Sequence, residues 1–86
     1  MKTEIVFAMY VELGSASGIT EWILSGDDIL TYYRYYDEDF EPDYIDDMEK
    51  DVYGFIQGNL DALKDYDNAL ILFAKHGISL YRRVVT

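Results

Sequence analysis

Cysteine is absent from this chain, which rules out a disulfide framework and a thiolate metal site and suits a reducing compartment. Histidine occurs once, at His76, and without a thiol the usual nucleophile and base pairings are hard to assemble, so no enzyme is expected. Basic residues are scarce: seven Lys or Arg stand against 17 Asp or Glu, a net charge of −10. That shortage argues against direct binding to nucleic acid or to an anionic membrane, since both repel such a chain at close range. No long uninterrupted apolar run is present, and the N-terminus lacks a signal-peptide pattern, so a soluble cytoplasmic protein is expected, in the host cytoplasm if phage-encoded.

What is there points to a folded protein. Half of the residues are hydrophobic and 16% are aromatic, the opposite of the disordered signature. A length of 86 residues fits one small domain, 1–86. The charge is confined. Between Asp27 and Asp67 there are 14 acids against Arg34, Lys50 and Lys64, a net −11, while the remainder carries +1. Seven of the nine tyrosines lie in the same stretch, interleaved with the acids.

Periodicity predicts an α+β fold. From Thr3 to Leu13 the odd positions Ile5, Phe7, Met9, Val11 and Leu13 are apolar, the mark of a strand with one face on the core. Ile19 to Leu24 alternates, and Ile29 to Tyr36 is rich in β-formers. Residues 19, 22, 23, 26, 29, 30, 33 and 36 also fit a helical stripe, so a helix competes with the expected three-stranded meander there. From Asp43 to Tyr66 the apolar residues Ile45, Met48, Val52, Phe55, Ile56, Leu60 and Leu63 share one helical face, which predicts one long helix over 43–66. Its two glycines, Gly54 and Gly58, would admit close approach to the sheet or bend the helix. Ala69 to Lys75 then reads as a strand, His76-Gly77 as a hairpin turn, and Ile78 to Val85 as its return, with Phe73 facing Leu80. The expectation is an antiparallel sheet of about five strands packed against that helix.

The clustered carboxylates are not expected to make a calcium loop. Asp37, Asp39 and Glu41 take the first, third and fifth places of an EF-hand-like register, but Pro42 stands where Gly is needed and Met48 where a bidentate Glu is needed. No metal or cofactor is expected. Acids four apart on a helix, such as Asp39, Asp43 and Asp47 or Asp47 and Asp51, are spaced about 6 Å along its axis. Phosphates two steps apart on one DNA strand rise about 6.8 Å. A row of carboxylates thus offers charge at nucleic-acid density to a groove of Lys and Arg, and the tyrosines beside it supply rigid contact area. The partner-binding candidates are Asp37, Glu38, Asp39, Glu41, Asp43, Asp46, Asp47 and Asp51 with Tyr36 and Tyr44.

Gly58-Asn59-Leu60-Asp61-Ala62-Leu63, with Tyr53-Gly54 upstream, is similar to the Tyr-Gly-x-Asn-Leu-Asp-Ala-Leu stretch of barstar-type ribonuclease inhibitors, although Phe55-Ile56-Gln57-Gly58 intervene. In that family aspartates on such a helix cover a nuclease active site, and the resemblance implies Asp61, with Asp65, as contacts. In overall character the chain looks like the DNA-mimic inhibitors of phages, including anti-restriction and anti-CRISPR proteins, which is an analogy of kind rather than of motif. The expected function is a small acidic inhibitor that blocks a basic nucleic-acid-binding site. The alternative is an adaptor, antitoxin or immunity-type protein that binds one basic partner without such mimicry.

Overall fold

The period of two near the N-terminus produces the strand around which the sheet is built. The computed structural model describes residues 2–13, 16–24, 30–36 and 42–85, with the side chains of 2, 13, 16 and 42–44 excepted. Its elements are β1 (Lys2–Leu13), β2 (Ala16–Leu24), β3 (Leu30–Tyr36), α1 (Pro42–Gly58), a 3₁₀ turn (Leu60–Lys64), α2 (Tyr66–Lys75) and β4 (Ser79–Val85). The four strands form one antiparallel sheet in the order β3-β2-β1-β4. The expected meander over the first three strands is therefore present, and residues 16–24 and 30–36 are strands rather than helix.

The odd-numbered face of β1 is the core face. Phe7 lies opposite Trp22 on β2 and Leu80 on β4, and both helices cover this row. From α1 come Ile45, Val52 and Ile56, from α2 Ala69 and Phe73, all buried. Phe73 meets Phe7 edge-on at 5.0 Å between ring centroids and Phe55 at 5.6 Å. Such aromatic contacts add roughly 0.5–1.5 kcal/mol beyond the area they bury. The even-numbered face carries no helix, yet Val6 and Ala8 are fully buried there. Tyr81, paired with Val6, reaches across β1 to hydrogen-bond Glu21 on β2, which screens these two small residues from solvent.

Five expectations are corrected. The sheet has four strands among the described residues, not about five. The single helix 43–66 ends at Gly58, where the Asn59 side-chain amide donates to the Phe55 carbonyl at 2.8 Å. And Ala69–Lys75 is not a strand but most of α2. Asp65 caps that helix, accepting from the Asn68 backbone N–H at 3.4 Å and its side-chain amide at 2.6 Å. At the other end Gly77 (φ 79°) donates to the Ala74 carbonyl and Ile78 donates to the Phe73 carbonyl, the paired bonds of a Schellman motif. His76-Gly77 is thus a helix stop. Leu80 has Phe7 as its strand partner instead of Phe73, and Phe73 meets the sheet from above as a helix residue.

Candidate acidic interface

α1 separates its acids by their position around the helix. Ile45, Glu49, Val52 and Ile56, spaced four, three and four apart, point at the sheet and are buried. Asp47 and Asp51 fall on the outward side, Asp47 exposed and the Asp51 side chain 81% exposed. Gly54 and Gly58 share that side. A Cβ at either would meet nothing within 4 Å, so neither glycine serves an approach to the sheet.

Glu49 is the acid that faces in. Thr20 donates its hydroxyl to Glu49 Oε2 at 2.8 Å, and the Arg34 Nε–H is shared between the two carboxylate oxygens at 2.9 and 3.0 Å. An Arg34 terminal N–H group also reaches Glu49 Oε1 and Asp46 Oδ1. Tyr36 completes the cluster, its hydroxyl against Thr20 and 3.4 Å from Glu49 Oε2. The residues meet because Thr20 and Arg34 are register partners on β2 and β3, as are Gly18 and Tyr36. The Tyr36 ring lies over Gly18, where any Cβ would overlap it. Hydrogen bonding to Glu49 raises the Arg34 pKa, and burial raises that of Tyr36. The arrangement is a clamp that locks α1 onto the sheet through charge-assisted bonds.

A second polar cluster lies on the helix-free face. Glu21 is buried, accepts from the Tyr81 hydroxyl, and has Arg83 Nη1 3.6 Å from Oε1. Arg83 also donates to Glu4 at 3.2 Å. Burial, then the bond to Glu21, pushes the Tyr81 pKa up to about 12. Around this cluster stand exposed Tyr10, Tyr33 and Tyr35.

Of the ten candidates from the sequence, Asp37, Glu38, Asp39 and Glu41 lie outside the described residues, and Asp43 and Tyr44 lie on α1 with side chains that are not described. Asp47 and Asp51 project from α1, whereas Asp46 is ion-paired to Arg34 and Tyr36 is half-buried in the clamp. Asp61 and Asp65 are exposed on and beside the 3₁₀ turn, off α1. Sequence reasoning missed Glu49, Arg34 and Thr20. The signal was an acid in step with Ile45, Val52 and Ile56, because a carboxylate inside an apolar stripe needs a partner across the core. His76 stacks on Phe55 at 3.8 Å with its Nε2 4.0 Å from Asp51. Among the described residues no group of three or more His, Asp or Glu is arranged to hold a metal ion, and no helix is long and apolar enough to cross a membrane. Comparison with protein-family models, with curated proteins and with solved structures finds no match for this chain.

Proposed function

We propose that this protein is a stoichiometric, non-catalytic inhibitor whose acidic surface stands in for the phosphates of a nucleic acid and occupies a basic groove on its target. One observation carries this reading: Asp47 and Asp51 project from the outward side of a helix whose inward side is clamped to the sheet by Glu49 and Arg34. A row of charge on a rigid helix is pre-organised, and pre-organisation is what lets a mimic bind without the cost of ordering. The sequence continues the row backward through Asp43, and Asp37, Glu38, Asp39 and Glu41 precede the helix. The target's affinity for phosphates then becomes affinity for this chain. A partner engaged mainly by exposed Tyr10, Tyr33 and Tyr35 would instead fit an adaptor or immunity-type role without mimicry.

Charge reversal tests the proposal. Asp43→Lys, Asp47→Lys and Asp51→Lys together should leave the circular dichroism spectrum unchanged and weaken capture of the partner from a bacterial lysate by at least a hundredfold, since each close interfacial charge pair carries about 2–5 kcal/mol on truncation. Wild-type capture by a folded triple variant would sink the claim that this helix is the contact surface.

A further inference from the structure

β3 is an edge strand, and among the described residues nothing pairs with its outer side. Its five central residues are exposed. Edge strands are normally guarded by lysine, proline, a bulge or a projecting charge. Leu30-Thr31-Tyr32-Tyr33-Arg34-Tyr35-Tyr36 has no lysine, proline or glycine, and its single charge, Arg34, is turned inward onto Glu49 and Asp46. Among the described residues, the edge over Leu30–Tyr35 carries none of these guards and has the composition of a strong strand former.

A groove of about 390 Å³ runs between this strand and α1. Trp22 and Leu30 contribute apolar surface, Tyr32 and Tyr53 stand at its sides, and Asp46 and Lys50 lie along the helix wall. A strand added to β3 would send alternate side chains into this groove and the others to the helix-free face, beside Tyr33 and Tyr35. Those two tyrosines are 47% and 56% exposed, so each offers aromatic surface to a cation. A net charge of −10 selects cationic over anionic segments.

We propose that the outer edge of β3, over Leu30–Tyr35, binds an extended segment of the partner protein as a fifth strand, with apolar side chains in the groove between β3 and α1 and arginine or lysine side chains over Tyr33 and Tyr35. It rests on the reading of a basic partner and adds a second contact beside the acidic helix. Main-chain hydrogen bonds supply affinity in such strand addition, while the alternating pockets supply selectivity.

The test titrates the isotope-labelled protein with three acetylated seven-residue peptides, matched to the seven residues of β3. One alternates arginine with leucine, the second is the same peptide N-methylated throughout, and the third alternates glutamate with leucine. The first should shift the backbone amide resonances of 30–36 and slow their hydrogen exchange, and the methylated peptide should bind at least tenfold more weakly. Tyr33→Ala and Tyr35→Ala should each weaken the first peptide about two- to fivefold. Equal binding of the methylated peptide would overturn the proposal, because no backbone pairing is then involved. Shifts confined to Asp47, Asp51 and their neighbours would overturn strand addition while leaving the basic-partner reading intact, and equal binding of the glutamate peptide would overturn both.

Discussion

Glu49 and Asp47 lie two positions apart on one helix and do opposite work. Glu49 accepts from Thr20 and Arg34 in a nearly dry setting, so Glu49→Ala strips the main partner from two donors at once. Hydrogen bonds to charged groups contribute about 1.5–3 kcal/mol, and Arg34, a third exposed and still paired with Asp46, recovers part of the loss in water. The expected cost is about 2 kcal/mol in urea denaturation, whereas Asp47→Ala should leave the unfolding midpoint where it is. Equal effects of the two substitutions would contradict the division between clamp and surface. Tyr81 gives a pH signature. Its folded pKa, about 12, lies above the ordinary value near 10, so the folded state holds that proton more tightly than the unfolded state does. Its contribution is complete below about pH 10 and is lost as pH rises through about 12. Ultraviolet titration should show a late tyrosinate step that Tyr81→Phe removes; an unchanged titration would place the step elsewhere.

At the scale of elements, the glycines separate packing from backbone conformation. Gly54 is exposed inside α1 with open space at its Cβ position, so Gly54→Ala should stabilise the fold by about 0.5–1 kcal/mol. Gly77 holds a positive φ at the α2 stop, and Gly77→Ala should destabilise it by about 1–2 kcal/mol. Thermal melts of the two variants should move in opposite directions. The same positions explain what was legible in the sequence. The period of two in β1 could be read because Ile5, Phe7, Met9 and Val11 all face the core, although Val6 and Ala8 on the other face are buried as well. Ala69–Lys75 was misread because a short apolar run lacks a decisive period and because a glycine with positive φ ends a helix as readily as it turns a hairpin. The Asp65 cap, with Asn68 three residues on, was the signal that could have separated the two. The break at Gly58 was misread because Leu60 and Leu63 continue the apolar stripe of α1 into the 3₁₀ turn, where both still pack against the core.

For the whole molecule, charge is the organising quantity. Its confinement to one internal block was visible from the order of residues alone, and the exposed Asp47 and Asp51 belong to that block. That Glu49 turns inward was signalled by its step with Ile45, Val52 and Ile56, but its partners were not legible, because Glu49 meets Arg34 and Thr20 only through the docking of α1 on the sheet. A protein that carries −10 at this size tolerates self-repulsion that a solvated surface alone does not require. Phosphate mimicry supplies a reason, and it makes a quantitative demand. A partner that reads the acidic surface as nucleic acid must release it when duplex DNA is added, and must bind it less as salt rises. The decisive measurement is competition on the captured partner, with the fraction bound followed against DNA concentration at two ionic strengths. The account predicts full displacement by DNA and a steep fall in affinity between low and moderate salt. A ternary complex of partner, DNA and this protein, with affinity flat in salt, would contradict it.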